Sequence, residues 1–231
     1  MSKLTGKVAL VTPGASVVVN YSSDETGADK VVAAITGAGG KAIAVKGNVS
    51  KESEAKGLVD AALKAYGGLD VVVNNSGVYE FGPIEAVPEE AFNRQFNINV
   101  LSLLLVTKAA VPHPKAGSSI INLSSVVSTS APPMASIYSG TKGAVDSITG
   151  SLSRELGPRH IRVNAVNPGL IETEGTTTTG VLGSPEARAI ENTPLGRIGQ
   201  PDDIADAVVF LASDDSRWVS GEKIRVAGGF R

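Results

Sequence analysis

Tyr138 and Lys142 stand four positions apart and are the first pair of residues that could do chemistry together. On a helix, residues at this spacing lie on one face about one turn apart. An ammonium group beside a phenol stabilises the phenolate, which lowers the pKa of the phenol and lets it act as a general acid or base. Such pairs are also common on protein surfaces, so the prediction depends on further groups.

Ser125 supplies a third group, thirteen residues before Tyr138. It follows the apolar run 120–123, which reads as a strand, and functional sites in open parallel sheets lie beyond the carboxyl ends of strands. A strand end and the helix after it can therefore bring Ser125 and Tyr138 to one substrate oxygen. The sequence predicts proton transfer at that oxygen.

The same region also contains a Ser-x-x-Lys pair, Ser139 and Lys142, which some acyl-transferring hydrolases use as nucleophile and base. The Ser-Asp-Asn and Lys-Thr-Gly motifs of those enzymes are absent, and no Gly-x-Ser-x-Gly motif occurs. The two histidines, His113 and His160, fall near predicted helix ends. Hydrolysis is therefore the weaker interpretation.

Composition excludes several other classes. The chain of 231 residues has no cysteine, so thiolate metal sites and cysteine nucleophiles are excluded, and we expect no metal site. A net charge of −2 with scattered lysines and arginines does not indicate a nucleic-acid partner. The apolar stretch 100–111 is too short to span a membrane, and no signal-peptide core follows the N-terminus, so we expect a cytoplasmic protein.

Short β-branched runs alternate with amphipathic segments along the chain. Continuous apolar runs are typical of strands buried on both faces of a parallel sheet. The pattern predicts one α/β domain over 1–231, with a doubly wound, mainly parallel sheet and helices on both faces. The predicted strands are 8–11, 17–19, 42–45, 71–73, 120–123, 161–166 and 224–226, and the predicted helices are 27–38, 51–66, 88–110, 136–156 and 201–212.

One connection does not fit this pattern. The first two runs should be neighbouring parallel strands, yet only residues 12–16 separate them, and a parallel crossover needs about a dozen residues or more. Three explanations are open: the runs form an antiparallel hairpin, the second run is not a strand, or the chain lacks the first βα crossover. We favour the missing crossover because the rest of the pattern is regular.

Several motifs in their order along the chain resemble the short-chain dehydrogenase/reductase family. The resemblance implies a Rossmann-like domain and an NAD(P)-dependent oxidoreductase that interconverts a carbonyl and an alcohol by hydride transfer. It assigns Tyr138 as general acid/base, Lys142 as its activator and ribose ligand, Ser125 as the substrate-oxygen donor, and Asn99 as support for a proton relay. The motifs are Ser124-Ser125, Tyr138-x-x-x-Lys142, Asn74-Asn75-Ser76-Gly77, Asn97-Ile98-Asn99-Val100 and Asn167-Pro168-Gly169.

The resemblance also implies the cofactor site. The family usually has aspartate where this chain has Asn48, more often alanine than serine at Ser76, and a glycine-rich loop that residues 12–16 are too few to supply. No acid follows the second strand until Asp24, so we expect NADP(H), with NAD(H) as the alternative. The implied cofactor-binding residues are Asn20, Tyr21, Ser22, Asn48, Val49, Asn75, Ser76, Gly77, Tyr138, Lys142, Pro168, Gly169, Ile171 and Thr173.

Two further expectations concern partners. The substrate would be a small carbonyl or alcohol, whose pocket the irregular region 170–195 would shape. The resemblance implies a homo-oligomer, either a dimer or a tetramer, paired through the long helices. The alternative function is a non-catalytic Rossmann-fold scaffold or binding protein with a defective dinucleotide site, which the short first connection and Asn48 favour.

Overall fold

A computed structural model describes residues 8–9, 15–173 and 190–230 of the chain. A seven-stranded sheet lies at its centre, and all adjacent strands run parallel, in the order β3-β2-β1-β4-β5-β6-β7. The strands are β1 (Val8–Ala9), β2 (Ser16–Tyr21), β3 (Lys41–Lys46), β4 (Leu69–Asn74), β5 (Pro114–Leu123), β6 (Arg162–Pro168) and β7 (Lys223–Val226). Each predicted run forms one of them, which confirms the doubly wound sheet.

Helices connect the strands and cover both faces of the sheet, as predicted. The region 88–110 differs from the prediction, because five residues in its middle, Asn97–Leu101, form a π-helical turn that divides it. The α-helices are α1 (Glu25–Gly37), α2 (Glu52–Tyr66), α3 (Glu89–Phe96), α4 (Ser102–Ala110), α5 (Val127–Ser130), α6 (Ser136–Leu156) and α7 (Pro201–Ala212).

Two apolar clusters lie on opposite faces of the sheet. On one face, α2, α4 and α6 bury residues such as Leu58, Val106 and Leu156 against the strands. On the other face, α1 and α7 bury Ala28 and Leu211. Successive strand residues belong to one cluster and the other in turn, because their side chains point to opposite faces of the sheet.

The first two strands pair in parallel, with Val8 beside Ser16 and Ala9 beside Val17. This register excludes the antiparallel hairpin and shows that the second run is a strand. The missing crossover is the explanation that is left.

Two predictions fall partly outside the described residues. They are the first strand beyond Ala9 and the substrate-loop region 170–195, of which 174–189 are not described. Within the described ranges, no helix is both long and apolar enough to cross a membrane.

Candidate active site

The carboxyl ends of β4, β5 and β6 bring the predicted catalytic residues to one edge of the sheet. Ser125 follows β5, and two backbone hydrogen bonds fix its loop to β6: Ser124 N–H donates to the Val166 carbonyl and Val126 N–H to the Pro168 carbonyl, at 2.8 and 3.0 Å. Tyr138 and Lys142 lie on the first turns of α6, which packs beside the same strands.

Tyr138 is half-buried, and the side chain of Ser125 lies near enough to its phenol to influence the pKa of the phenol. Burial raises the pKa of Tyr138 because the phenolate loses hydration, the Ser125 hydrogen bond lowers it, and the neighbouring Tyr79 raises it. The net direction is upward. The phenol is therefore paired with its predicted partner, but the lowered pKa expected for Tyr138 is not present in this structure.

Lys142 is 5% exposed and extends along α6 towards the end of β5. Its Nζ donates a hydrogen bond to the Leu123 carbonyl at 2.8 Å and lies 5.7 Å from the centre of the Tyr138 ring. Burial lowers the pKa of Lys142 from 10.5 to about 8, and Asp146 opposes this shift. The predicted proximity to Tyr138 is therefore present, with the ammonium anchored on a backbone carbonyl.

Asn99 lies in the π-helical turn and is 2% exposed. Its side chain accepts a hydrogen bond from Val78 N–H at 2.7 Å and donates to the Val78 carbonyl at 2.8 Å and to the Thr141 hydroxyl at 3.0 Å. One amide thus joins the loop after β4 to the helix that carries Tyr138 and Lys142. A π turn inserts an extra residue into a helix, and such turns often occur at functional sites.

Sequence reasoning missed Asp146 and its role beside Asn167. The Asn167 amide donates to both carboxylate oxygens of Asp146 at 3.0 and 3.1 Å, and also to the Ser125 carbonyl at 3.2 Å. Asp146 lies one helical turn beyond Lys142, a spacing that could have suggested it. The carboxylate stabilises the lysine ammonium and fixes the loop that carries Ser125.

An aromatic cluster beside the catalytic tyrosine was also missed. The rings of Tyr79, Phe81 and Tyr138 lie 5.8 to 6.0 Å apart, centre to centre. Phe81 is 47% exposed. The two partner rings follow the Asn74-Asn75-Ser76-Gly77 motif directly, and apolar rings just beyond a strand end could have signalled a pocket wall.

A cleft of about 650 Å³ opens where β2, β3 and β4 end. Its lining includes five of the residues predicted to bind the cofactor: Asn20, Val49, Asn75, Ser76 and Gly77. Asp24 also borders it, and its carboxylate accepts a hydrogen bond from Gly27 N–H at the start of α1. The structure therefore brings the predicted adenosine end of the site together.

Several of the residues predicted to bind the cofactor use their side chains in hydrogen bonds to nearby parts of the chain. The Asn20 amide donates to the Val45 and Gly47 carbonyls, so its N–H groups hold the end of β3. The Asn48 side chain accepts from Ser50 N–H and from the Ser50 hydroxyl, closing a turn. Tyr21 is hydrogen-bonded to Glu25, and Ser22 is exposed.

The segment after β6 packs tightly rather than lining the cleft. A Cβ on Gly169 would lie 2.9 Å from the Ala227 Cβ, so only glycine fits there without a shift. Ile171 forms a bridge with Gly199 and borders a separate cavity of about 150 Å³. Pro168 and Thr173 flank this segment, and neither residue lines the adenosine cleft.

A dinucleotide fits both ends of this site but not its middle. At the nicotinamide end, a Cβ on Gly77 would come within 3.6 Å of Asn99 Oδ1 and 3.7 Å of Lys142 Nζ, so the glycine leaves space beside those groups. At the adenosine end, the cleft provides polar walls. Between the two ends, a glycine-rich loop and helix would bind the pyrophosphate, and residues 10–15 are too few to form them.

Residues 8–231 match a family model described as enoyl-(acyl carrier protein) reductase. An uncharacterized oxidoreductase of Methylorubrum extorquens is 56% identical, with complete coverage of both chains. That alignment spans 248 positions, whereas this chain has 231 residues, so at least 17 positions have no counterpart here. A hydroxynaphthalene reductase-like protein of Metarhizium robertsii is 38% identical over 98% of this chain and 95% of its own.

A solved structure gives the same result. A short-chain dehydrogenase from Burkholderia cenocepacia in complex with NADP superposes with a TM-score of 0.92, at 30% identity and 98% coverage of both chains. The site and the fold define a nicotinamide-dependent oxidoreductase. The chain belongs to the short-chain dehydrogenase/reductase family.

Proposed function

We propose that this chain interconverts a carbonyl and an alcohol, with Tyr138 as the general acid/base. The pairing of the phenol with the side chain of Ser125, next to the buried Lys142, is the observation that carries this proposal. Two hydroxyl groups that meet at one point provide two hydrogen bonds for a single substrate oxygen.

Each residue has a defined task in the reaction. When bound, the nicotinamide supplies a hydride to the carbonyl carbon or accepts one from the alcohol carbon. Ser125 Oγ donates a hydrogen bond to the substrate oxygen, and Tyr138 Oη gives that oxygen a proton during reduction. Lys142 stabilises the resulting phenolate, and Asn99 positions the loop and the helix on either side.

The raised pKa of Tyr138 favours the reductive direction. At neutral pH a phenol with a raised pKa stays protonated, which is the form that donates to a developing alkoxide. Oxidation of an alcohol would need the phenolate instead. We therefore propose carbonyl reduction as the faster direction near pH 7.

We propose NADP(H) as the preferred cofactor. The acid nearest the end of β2 is Asp24, and its carboxylate already caps α1. The Ser22 hydroxyl is exposed beside it, and a hydroxyl can donate to a 2′-phosphate. The Burkholderia cenocepacia relative was solved with NADP, which supports the same choice.

We propose that the carbonyl substrate carries an apolar ring system. Tyr79 and Phe81 form an aromatic wall beside the reacting phenol, and flat apolar surfaces pack well on such rings. The similarity to a hydroxynaphthalene reductase-like protein supports this class. Linear acyl thioesters, which the description of the family model suggests, would leave the exposed part of the Phe81 ring uncovered.

Tyr138→Phe tests the acid/base role. We expect turnover to fall by at least about 100-fold because no other group can protonate the substrate oxygen. NADPH binding, measured by calorimetry, should change by less than about threefold, because the phenol ring remains in place. Tyr66→Phe is the matched control, since its hydroxyl bonds the remote Val17 carbonyl. Undiminished turnover in Tyr138→Phe would contradict the role.

A substrate panel with two variants tests the ring preference. The panel contains bicyclic aryl ketones, linear ketones, sugars and an enoyl thioester, each with NADPH and with NADH. Phe81→Ala should raise KM for aryl ketones by about 5- to 10-fold and leave linear ketones unchanged, because a lost ring contact is worth about 1 kcal/mol. Trp218→Ala, at a remote and fully exposed ring, is the control. Equal KM changes for all ketones would contradict the preference.

We also propose a cytoplasmic homo-oligomer, in the form of a tetramer. Phe92, Leu101 and Leu104 expose apolar surface along α3, the π turn and α4, where pairing of subunits would cover it. Light scattering coupled to size-exclusion chromatography measures the state directly. A monomer at high concentration would contradict this proposal.

A further inference from the structure

The shortest strand connection in this sheet is the one between β1 and β2. Six residues, 10–15, join two parallel neighbours, although parallel crossovers need about a dozen residues or more. The next two connections hold 19 residues (22–40) and 22 residues (47–68), and each contains a helix, α1 and α2 respectively. Every later connection in the sheet also contains a helix. The first connection is therefore the exception.

The faces of the sheet are covered unequally. Three helices, α2, α4 and α6, cover one face, whereas the described part of the chain places only α1 and α7 on the other. On the poorly covered face, α1 packs on β2 and β3, and α7 packs on β5, β6 and β7. The space between these helices lies over β1 and β4.

Handedness predicts which face a first crossover helix would occupy. The chain moves from β1 to β2 to β3 in one direction across the sheet, and such crossovers are right-handed in nearly all proteins. A helix between β1 and β2 would therefore lie on the same face as α1, next to it. This is the face that has only two helices.

One side of α1 is exposed where the first crossover helix would pack. Among the apolar residues of α1, only Ala28 is buried, and Val31 is 42% exposed. The helix α2, which has neighbours, buries Leu58, Val59 and Ala62 completely. An apolar helix flank that remains exposed is typical of a helix whose packing partner is absent.

The alignment with the Methylorubrum extorquens relative leaves enough unmatched positions for a crossover of ordinary length. It has at least 17 positions with no counterpart in this chain, and added to the first connection they would bring it to 23 residues, close to its two neighbours. About 12 residues of helix are 18 Å long, enough to recross the sheet, and the rest would form the turn that precedes the helix.

We infer that this chain lacks the helix that crosses from β1 to β2, and with it the helix N-terminus that would bind the pyrophosphate of the cofactor. The inference rests on the proposed function, because it concerns the cofactor of that reaction. The chain retains walls for the adenosine and nicotinamide ends but has no anion-binding helix end between them. It therefore binds the dinucleotide weakly, and the two ends of the cofactor do not bind as one rigid unit.

Insertion of the 17 unmatched residues of the relative between Gly14 and Ala15 tests the inference. Calorimetry with NADPH and with 2′-AMP, which has no pyrophosphate, compares the extended and natural chains. We expect NADPH to bind the extended chain at least about 100-fold more tightly, because two or more charge-assisted hydrogen bonds are restored. The dissociation constant of 2′-AMP should change by less than about threefold, since that end is already formed.

Two controls distinguish the effect of the helix on NADPH affinity from the effect of a longer connection. A Gly-Ser insertion of the same length should leave NADPH affinity unchanged, and removal of the 17 residues from the Methylorubrum extorquens protein should weaken its NADPH binding by about 100-fold. The reverse deletion also answers the question if the extended chain does not fold. Equal NADPH affinity in the natural and extended chains, or tight binding with the Gly-Ser insertion, would overturn the inference.

The outcomes also distinguish this inference from the proposed function. Tight NADPH binding by the extended chain, with turnover that survives Tyr138→Phe, would refute the proposed acid/base and leave the inference standing. Turnover that depends on Tyr138, with equal NADPH affinity in both chains, would do the opposite.

Discussion

Replacement of Lys142 by methionine measures the folding free energy that the buried ammonium costs. Burial lowers the pKa of Lys142 from 10.5 to about 8 in the folded chain. The unfolded chain therefore binds more protons than the folded chain between these two values, so stability rises with pH across that window. A shift of roughly 2.5 units corresponds to at most about 3.4 kcal/mol of destabilisation near neutral pH.

The pH dependence isolates this cost from other effects of the substitution. Loss of the Nζ hydrogen bond to the Leu123 carbonyl costs about 1 to 3 kcal/mol, and this loss depends little on pH. Between about pH 7 and pH 10, we expect the natural chain to gain about 2 to 3 kcal/mol relative to Lys142→Met, because the lysine becomes neutral in the folded state first.

Urea unfolding of both chains at intervals across this pH range gives the free energies. Lys64→Met, at an exposed position late in α2, is the matched control and should show no comparable trend. The reasoning would be refuted if the difference between the natural chain and Lys142→Met stayed constant within about 0.5 kcal/mol over the whole range.

Two further substitutions test the packing around the site. Asn99→Leu should lower the free energy of unfolding by about 2 to 4 kcal/mol, because it leaves both Val78 backbone groups unpaired. Asn97→Leu, at an exposed position of the same turn, is its control and should lower the free energy of unfolding much less. Gly169→Ala should cost roughly 1 to 3 kcal/mol, because its Cβ would press on Ala227, whereas Gly57→Ala in α2 meets no neighbour and should stabilise the chain by about 0.5 to 1 kcal/mol. Denaturant titration checks both pairs, and equal effects within either pair would contradict the structural reason given for it.

The strand pattern was predictable because buried parallel strands have continuous apolar runs. Residues 120–123, for example, fall within β5, and 162–166 of the predicted run 161–166 fall within β6. The sequence predicted 88–110 as one continuous helix, and the π turn is visible only in the backbone, where the Ser102 N–H donates to the Asn97 carbonyl five residues before it.

The features of the site that depend on residue spacing were predictable from the sequence, whereas those that depend on burial were not. The four-residue spacing of Tyr138 and Lys142 placed them together, but it could not show that desolvation raises the pKa of the phenol. The Asn20 amide donors appeared available in the sequence. In the structure they hold the end of β3, a contact 25 residues away along the chain.

The position of the short connection explains why a change in the pyrophosphate-binding part of the site can leave the proton-transfer groups intact. Asn99, Ser125, Tyr138 and Lys142 all lie on elements after β4, and their hydrogen bonds join β5, α6 and the π turn. The first connection joins β1 and β2, and these strands lie on the opposite side of β4 from β5 and β6. Loss of its helix should therefore raise KM for NADPH by about 100-fold while kcat at saturating cofactor changes by less than about threefold. A kcat that falls together with the affinity would show that the pyrophosphate helix also orients the nicotinamide for hydride transfer.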